Sequence, residues 1–123
     1  MSEIDDRRAR ALVRLKELDD EPGGDAFLER MGVLGDWVVD FAFGDVHTRP
    51  GLDARERELL IVAVLAALGS CDSQVAAHIR ALRAIDVPWN QIEEAILQIT
   101  PYAGIPRAIN AMKVLRAEQE ADR

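Results

Sequence analysis

The apolar and polar positions of this chain are organised around residues 52–78, LDARERELLIVAVLAALGSCDSQVAAH. A charged opening, residues 53–58, leads into ten consecutive apolar residues, 59–68. Gly69 breaks the run, and the chain restarts through Cys71, Gln74 and His78. A helix that is apolar all round belongs inside a protein. The pattern therefore predicts a buried helix over 53–68. A second helix follows from Asp72 or Ser73 to about Asp86, and the two form a central antiparallel hairpin. At roughly 100° per residue, Cys71 and His78 lie within about 20° of each other, and Gln74 shares their face. Arg80 points elsewhere.

The flanking segments are helical too. Ile4, Leu12, Leu15 and Leu18 mark one face of an N-terminal helix over about 4–20, with Arg7, Arg10, Arg14 and Glu17 off that face. The breakers at 19–24, DDEPGG, end it. Phe27, Met31, Leu34, Val38 and Phe41 repeat at three- and four-residue steps, the stripe of a core-facing helix split near Gly32 or Gly35 and ended by Gly44. A loop, DVHTRPG at 45–51, carries His47 and Arg49 to Asp53, which can cap the next helix. That loop is either the rim of a pocket or an ordinary solvated connection. Pro88 opens a helix with Trp89, Ile92, Ala95, Ile96 and Ile99 inward. Pro101 and Gly104 bracket a break that holds Tyr102. Pro106 opens the last helix, with Ile109, Met112 and Leu115 inward and Arg107, Lys113 and Arg116 outward. The polar tail at 117–123 is expected to fray. No strand-like alternation occurs, so the expected class is all-α, with five to seven helices in a single domain over 1–123.

Composition narrows the function. Apolar residues make up 49% of the 123-residue chain and aromatics 5%, and the formal net charge is −7. An acidic chain is a poor nucleic-acid binder, which needs a basic patch. The ten-residue apolar run falls short of the roughly 20 residues that span a bilayer. The charged N-terminus, MSEIDDRRAR, does not resemble a signal peptide, and a single cysteine forms no internal disulfide. A cytoplasmic protein is expected, with no membrane partner. Trp37, Phe43 and Trp89 exceed what one small core uses, so some apolar surface should be covered by assembly.

Candidate chemistry is sparse. Two histidines and one cysteine give no metal-ligand spacing, and neither a phosphate-cradling glycine loop nor a G-x-S-x-G element is present. His78, with Cys71, Gln74 and Glu58 close by, is either a hydrogen-bonded structural histidine or a catalyst. Cys71 is either a small buried hydrophobe or a thiol activated by a helix N-terminus.

Four motifs carry a family resemblance: G-D-V-x-x-R-P-G-L at 44–52, R-E-L at 57–59, H-I-R at 78–80 and Y-A-G-x-P-x-A-x-N-A at 102–111. Over roughly 35–118 the chain resembles the carboxymuconolactone decarboxylase family. The resemblance implies a helical fold related to alkylhydroperoxidase D, assembled as homotrimers or homohexamers. The peroxidase branch uses a C-x-x-C pair, a downstream histidine and an upstream glutamate. Cys71 and His78 match two of these positions, but Gln74 replaces the second cysteine, and a disulfide cycle needs two thiols. The decarboxylase branch is therefore implied. Its members commonly carry an aromatic, usually tryptophan, where this chain has His47, so the resemblance implies the reaction type more firmly than the substrate.

That reaction, loss of carbon dioxide from a small lactone or keto-type acid as in aromatic-compound catabolism, needs no cofactor, because the substrate is its own electron sink. On this resemblance His78 is the general acid and Glu58 orients it. Arg49 or Arg57 anchors a substrate carboxylate, Gln74 is a further substrate-binding residue, and His47 and Tyr102 shape the mouth and bind substrate there. Two alternatives stand beside it: a redox protein that uses Cys71 with an external thiol, and an oligomeric protein without catalysis.

Overall fold

The computed structural model describes residues 3–18 and 24–122. Among these, eight α-helical segments, one π-helical segment and no strand occur. The all-α expectation holds. Taking α3 and the π-helical segment as one continuous helix and leaving out the four-residue α7, seven helices remain. The chain forms two compact units, Met1–Ala54 and Arg55–Arg123.

The first unit contains α1 (Glu3–Leu18), α2 (Gly24–Arg30) and α3 (Val33–Trp37), which runs on into a π-helical segment, Val38–His47. The expected breakers at 19–23 lie outside the described residues. The stripe predicted over 27–41 is not the buried face: Phe27, Met31, Leu34 and Phe41 are exposed, and Val38 is half-buried. Gly35, Val39, Asp40, Gly44 and His47 are buried instead. Within the π-helical segment Asp40 and Gly44 are four apart and Val39 and Gly44 five, steps that the wider i→i+5 winding brings to one side and a 3.6-residue template misses. The same winding carries Asp45–His47 into the helix, so the expected loop shortens to residues 48–53.

Helix α1 docks on this segment through arginine. Arg7 reaches Asp45 at 2.8 Å. Arg8 donates from Nε to Asp40 Oδ1 at 2.8 Å and from Nη2 to Oδ2 at 3.0 Å. Arg10 bonds the Gly44 carbonyl at 3.4 Å, and Arg14 the His47 carbonyl at 2.7 Å. Ala11 and Leu18 are buried, whereas Leu12 is exposed. The packed face of α1 is thus richer in arginine than its hydrophobic pattern implies. Gly44 permits the approach, since a Cβ there would sit 2.5 Å from the Arg7 carbonyl oxygen. The hydrogen bond to Asp40 raises the Arg8 guanidinium above its ordinary value, outweighing desolvation. A raised cation contributes in full below the ordinary arginine range and is lost only above it, so this link is constant through neutral pH.

The second unit contains α4 (Ala54–Leu68) from its second residue on, α5 (Asp72–Ala84), α6 (Trp89–Gln98), α7 (Thr100–Ala103) and α8 (Ile105–Ala121). Each long helix contributes one apolar line at three- or four-residue steps: Val62 and Ala66; Val75, Ile79 and Leu82; Ile92, Ile96 and Ile99; Ala111 and Leu115. Three expectations change. Leu60, Val64 and Leu68 are exposed, so α4 is not enclosed within a single chain. Ile109 is exposed, and α8 buries Ala111 in its place. The tail to Ala121 is helical, with Glu118 receiving a 2.7 Å hydrogen bond from Arg80. No helix among the described residues is long and apolar enough to cross a membrane.

Two positions on α6, two residues apart, test the packing. Ile96 is fully buried and Glu94 is exposed. Ile96→Ala should cost about 2–5 kcal/mol and Glu94→Ala less than about 0.5 kcal/mol, read by urea unfolding. Equal costs would contradict the assignment of α6's faces.

Candidate active site

Glu58, Val62 and Ala66 stand four residues apart on α4, and all three are buried. The spacing that seats valine and alanine in the core therefore seats a carboxylate there too. Burying a charge is costly without a hydrogen-bonding partner. The partner comes from α5, where Val75 and Ile79 face the core and His78 lies at the edge of that face. His78 Nδ1 is 2.7 Å from Glu58 Oε1. The Glu58 side chain is 0% exposed and that of His78 is 24% exposed.

This geometry assigns the ring. An ionised Glu58 would only accept, and in that state Nδ1 carries the hydrogen and donates it. Nε2 is left as the ring nitrogen available to a bound molecule. The carboxylate also complements the positive charge that the ring carries when doubly protonated. A partly exposed imidazole oriented by a buried carboxylate is an arrangement suited to moving protons.

The α5 neighbours fall where the helical geometry places them. Gln74 is exposed one turn before His78, on the same side. Cys71 is the N-cap residue of α5 and half-buried. Its Sγ donates to the Gly69 carbonyl at 3.2 Å. Arg57, next to Glu58, is half-buried.

The remaining sequence candidates are Tyr102, Arg49 and His47. Tyr102 is 87% exposed on α7, in a helical turn rather than a break. Arg49 is exposed and belongs with His47 to the Met1–Ala54 unit. His47 is 4% exposed and closes the π-helical segment, so it is not in a solvated loop. Arg14 Nη1 lies 2.8 Å from its Nδ1. An arginine only donates, so this Nδ1 accepts. Phe43 stacks on the same ring with centroids 5.1 Å apart. The two histidines thus have opposite roles at Nδ1, acceptor in His47 and donor in His78.

Two features escaped the sequence reading. Asp40 interrupts an apolar run and pairs with an arginine on α1, and its charge among hydrophobic neighbours was the available signal. Arg107, expected to point outward, does so but folds back on the α4–α5 turn, where Nη1 donates to the Leu68 carbonyl at 2.9 Å. Nothing local in the sequence signals that contact. A separate concavity of about 440 Å³ runs along α8, lined by Ile109, Met112, Lys113, Arg116, Ala117 and Glu120. It includes none of the candidate residues. Among the described residues, no cluster of three or more His, Cys, Asp or Glu side chains could hold a metal ion.

Comparison with known proteins agrees with the helical arrangement. Residues 33–117 match the model of the carboxymuconolactone decarboxylase family. Over 76 residues, 62% of this chain and 56% of the relative, the sequence is 40% identical to 4-carboxymuconolactone decarboxylase of Acinetobacter baylyi. Over 77 residues, 63% of this chain and 53% of the relative, it is 32% identical to nitrosuccinic acid decarboxylase of Metarhizium robertsii. The chain therefore spans little more than half the length of these curated relatives. With the family match covering most of its length, both units included, the chain belongs to the carboxymuconolactone decarboxylase family.

Proposed function

We propose that this chain is a cofactor-independent decarboxylase in which His78 delivers a proton and Glu58 holds the ring that delivers it. The observation that carries the proposal is the 2.7 Å contact between a fully buried carboxylate and a partly exposed imidazole. The relatives' names supply the reaction class. Nitrosuccinic acid and 4-carboxymuconolactone are both diacids. In each, the departing carboxylate sits on a saturated carbon whose released electron pair can delocalise into an electron-withdrawing group, a nitro group in one and an unsaturated lactone in the other. A small diacid with such a built-in sink is the substrate class we infer here.

The step is balanced by the substrate and His78 together. The carbon–carboxylate bond breaks, carbon dioxide leaves, and the electron pair moves onto the nitro or carbonyl oxygen. The imidazolium then gives its Nε2 proton to carbon. The ring remains as the neutral Nδ1–H form, still bonded to Glu58, and regains its proton from water. Donors aimed where charge develops are often worth about 3–4 kcal/mol each. Gln74, one turn from His78, is the amide we assign to that role, and Arg57 is the nearer of the two candidate arginines in sequence for the carboxylate that stays. Arg49, His47 and Tyr102 are assigned as surrounding residues, to be judged by substitution.

Assembly belongs to the same proposal. Phe27, Leu34, Trp37 and Phe41 are exposed in the first unit, as are Leu60, Val64 and Leu68 on α4. Exposed apolar surface of this kind marks interfaces, and a homotrimer or homohexamer would cover it.

Three outcomes are expected. Carbon dioxide release from nitrosuccinate and 4-carboxymuconolactone should identify an active acid. With it, His78→Gln should lower kcat by about 10²–10⁴-fold, Glu58→Gln should give a smaller loss, and Cys71→Ser should change little. A dead Cys71→Ser beside an active His78→Gln would instead establish thiol chemistry. If His78→Gln costs only about 1–3 kcal/mol of stability with full turnover, the histidine is structural. Second, a non-decarboxylating diacid analogue should raise the melting temperature, and Arg57→Ala should abolish that rise. Loss with Arg49→Ala alone would move the anchor to Arg49. Third, light scattering should give a mass of three or six chains, reduced by Val64→Glu or Trp37→Glu. A monomer at micromolar concentration would refute the assembly.

A further inference from the structure

The turn that joins α4 to α5 is sharply bent. Gly69 has φ 77° and Ser70 has φ 56°, two successive residues in left-handed geometry. Three contacts fix it. The Gly69 amide bonds the Leu65 carbonyl at 3.1 Å. The Cys71 thiol donates to the Gly69 carbonyl at 3.2 Å. Arg107, from the first turn of α8, donates Nη1 to the Leu68 carbonyl at 2.9 Å. The guanidinium also covers Gly69, because a Cβ built there would meet Nη1 at 2.0 Å. The Leu68 carbonyl is one of the acceptors that a helix C-terminus leaves without an intrahelical donor. Arg107 supplies that donor from a different helix.

We propose that Arg107 is a positioning residue for the Glu58–His78 pair, acting through this turn. The proposal rests on the proton-delivery reading of that pair. Helix α4 meets the core through Val62 and Ala66, with Leu59, Ala63, Leu65 and Ala67 packed against the same cluster. Apolar contact of this kind is non-directional and leaves the tilt of α4 to directional bonds. One of these, between Arg55 and Gln91, joins two exposed flexible side chains. Arg107 instead bonds a backbone carbonyl while packed against the glycine beside it. Ten residues separate Leu68 from Glu58, so the carboxylate lies about 15 Å along the helix from the clamp. A tilt of about 5° at the turn would move it by roughly 1.3 Å, which takes a 2.7 Å contact past the length of a hydrogen bond. A small loss of definition at Arg107 is therefore amplified at His78.

Nuclear magnetic resonance of the full chain labelled with ¹⁵N-histidine reads this without a substrate. A histidine whose Nδ1–H donates to a carboxylate shows a far-downfield proton coupled to a protonated Nδ1. His47 cannot supply that signal, since its Nδ1 faces an Arg14 donor, and its disappearance in His78→Gln assigns it. In the native chain the signal should be present. Arg107→Met should broaden or abolish it while helix content by circular dichroism is unchanged, and Arg107→Lys, which keeps a cationic donor, should retain it. An Arg107→Met spectrum identical to the native one overturns the proposal. Should Arg107→Met fail to fold, Arg107→Lys decides, retention supporting the clamp and loss refuting it. Absence of the signal from the native chain would instead overturn the proton-delivery reading itself.

Discussion

A carboxylate shut away from water persists in a folded protein only if something hydrogen-bonds to it, and Glu58 has His78. That contact ties α4 to α5 and, in the proposed mechanism, holds Nδ1–H so that Nε2 faces the substrate. Breaking a buried pair by removing one partner is usually more damaging than never having had it. The pair therefore constrains both helices as well as any chemistry. The core lines of α5, α6 and α8 hold His78 in place from one side, while the bent turn at Gly69 and Ser70 brings Glu58 to it from the other.

The first unit solves a different problem. Its apolar residues are displayed and its contacts are polar: Arg7, Arg8, Arg10 and Arg14 reach acceptors on the π-helical segment. A π-helical winding spends backbone regularity to place Asp40, Gly44 and His47 along one side. What it leaves outward is a ridge of large apolar side chains, as does α4 in the second unit. Arginine contacts hold this unit together while phenylalanine and tryptophan stay exposed, the surface that the proposed homo-oligomer would cover.

Much of the second unit was legible in the sequence. Glu58 precedes the apolar run by one residue, and counting fours from it lands on Val62 and Ala66. The three-residue step from Val75 to His78 places the histidine at the edge of the α5 core line. Pairing the two needed only a hairpin, which Gly69 announced. The first unit was less legible because a helical template of 3.6 residues selects Phe27, Met31, Leu34 and Phe41, and a π-helix rotates a different set inward. His47 was misplaced for the same reason, and its partner Arg14 lies 33 residues away. Arg107 is a tertiary accident from the standpoint of pattern, since no local rule links it to a carbonyl 39 residues earlier.

The central claim is that a diacid reacts at Nε2 of His78, and a crystal structure with a stable diacid analogue bound addresses it most directly. The account predicts that the carbon corresponding to the one that loses carbon dioxide lies roughly 3–3.5 Å from Nε2, with Nδ1 still on Glu58. An analogue seated in the α8 concavity, or against Cys71 with His78 out of reach, would contradict it.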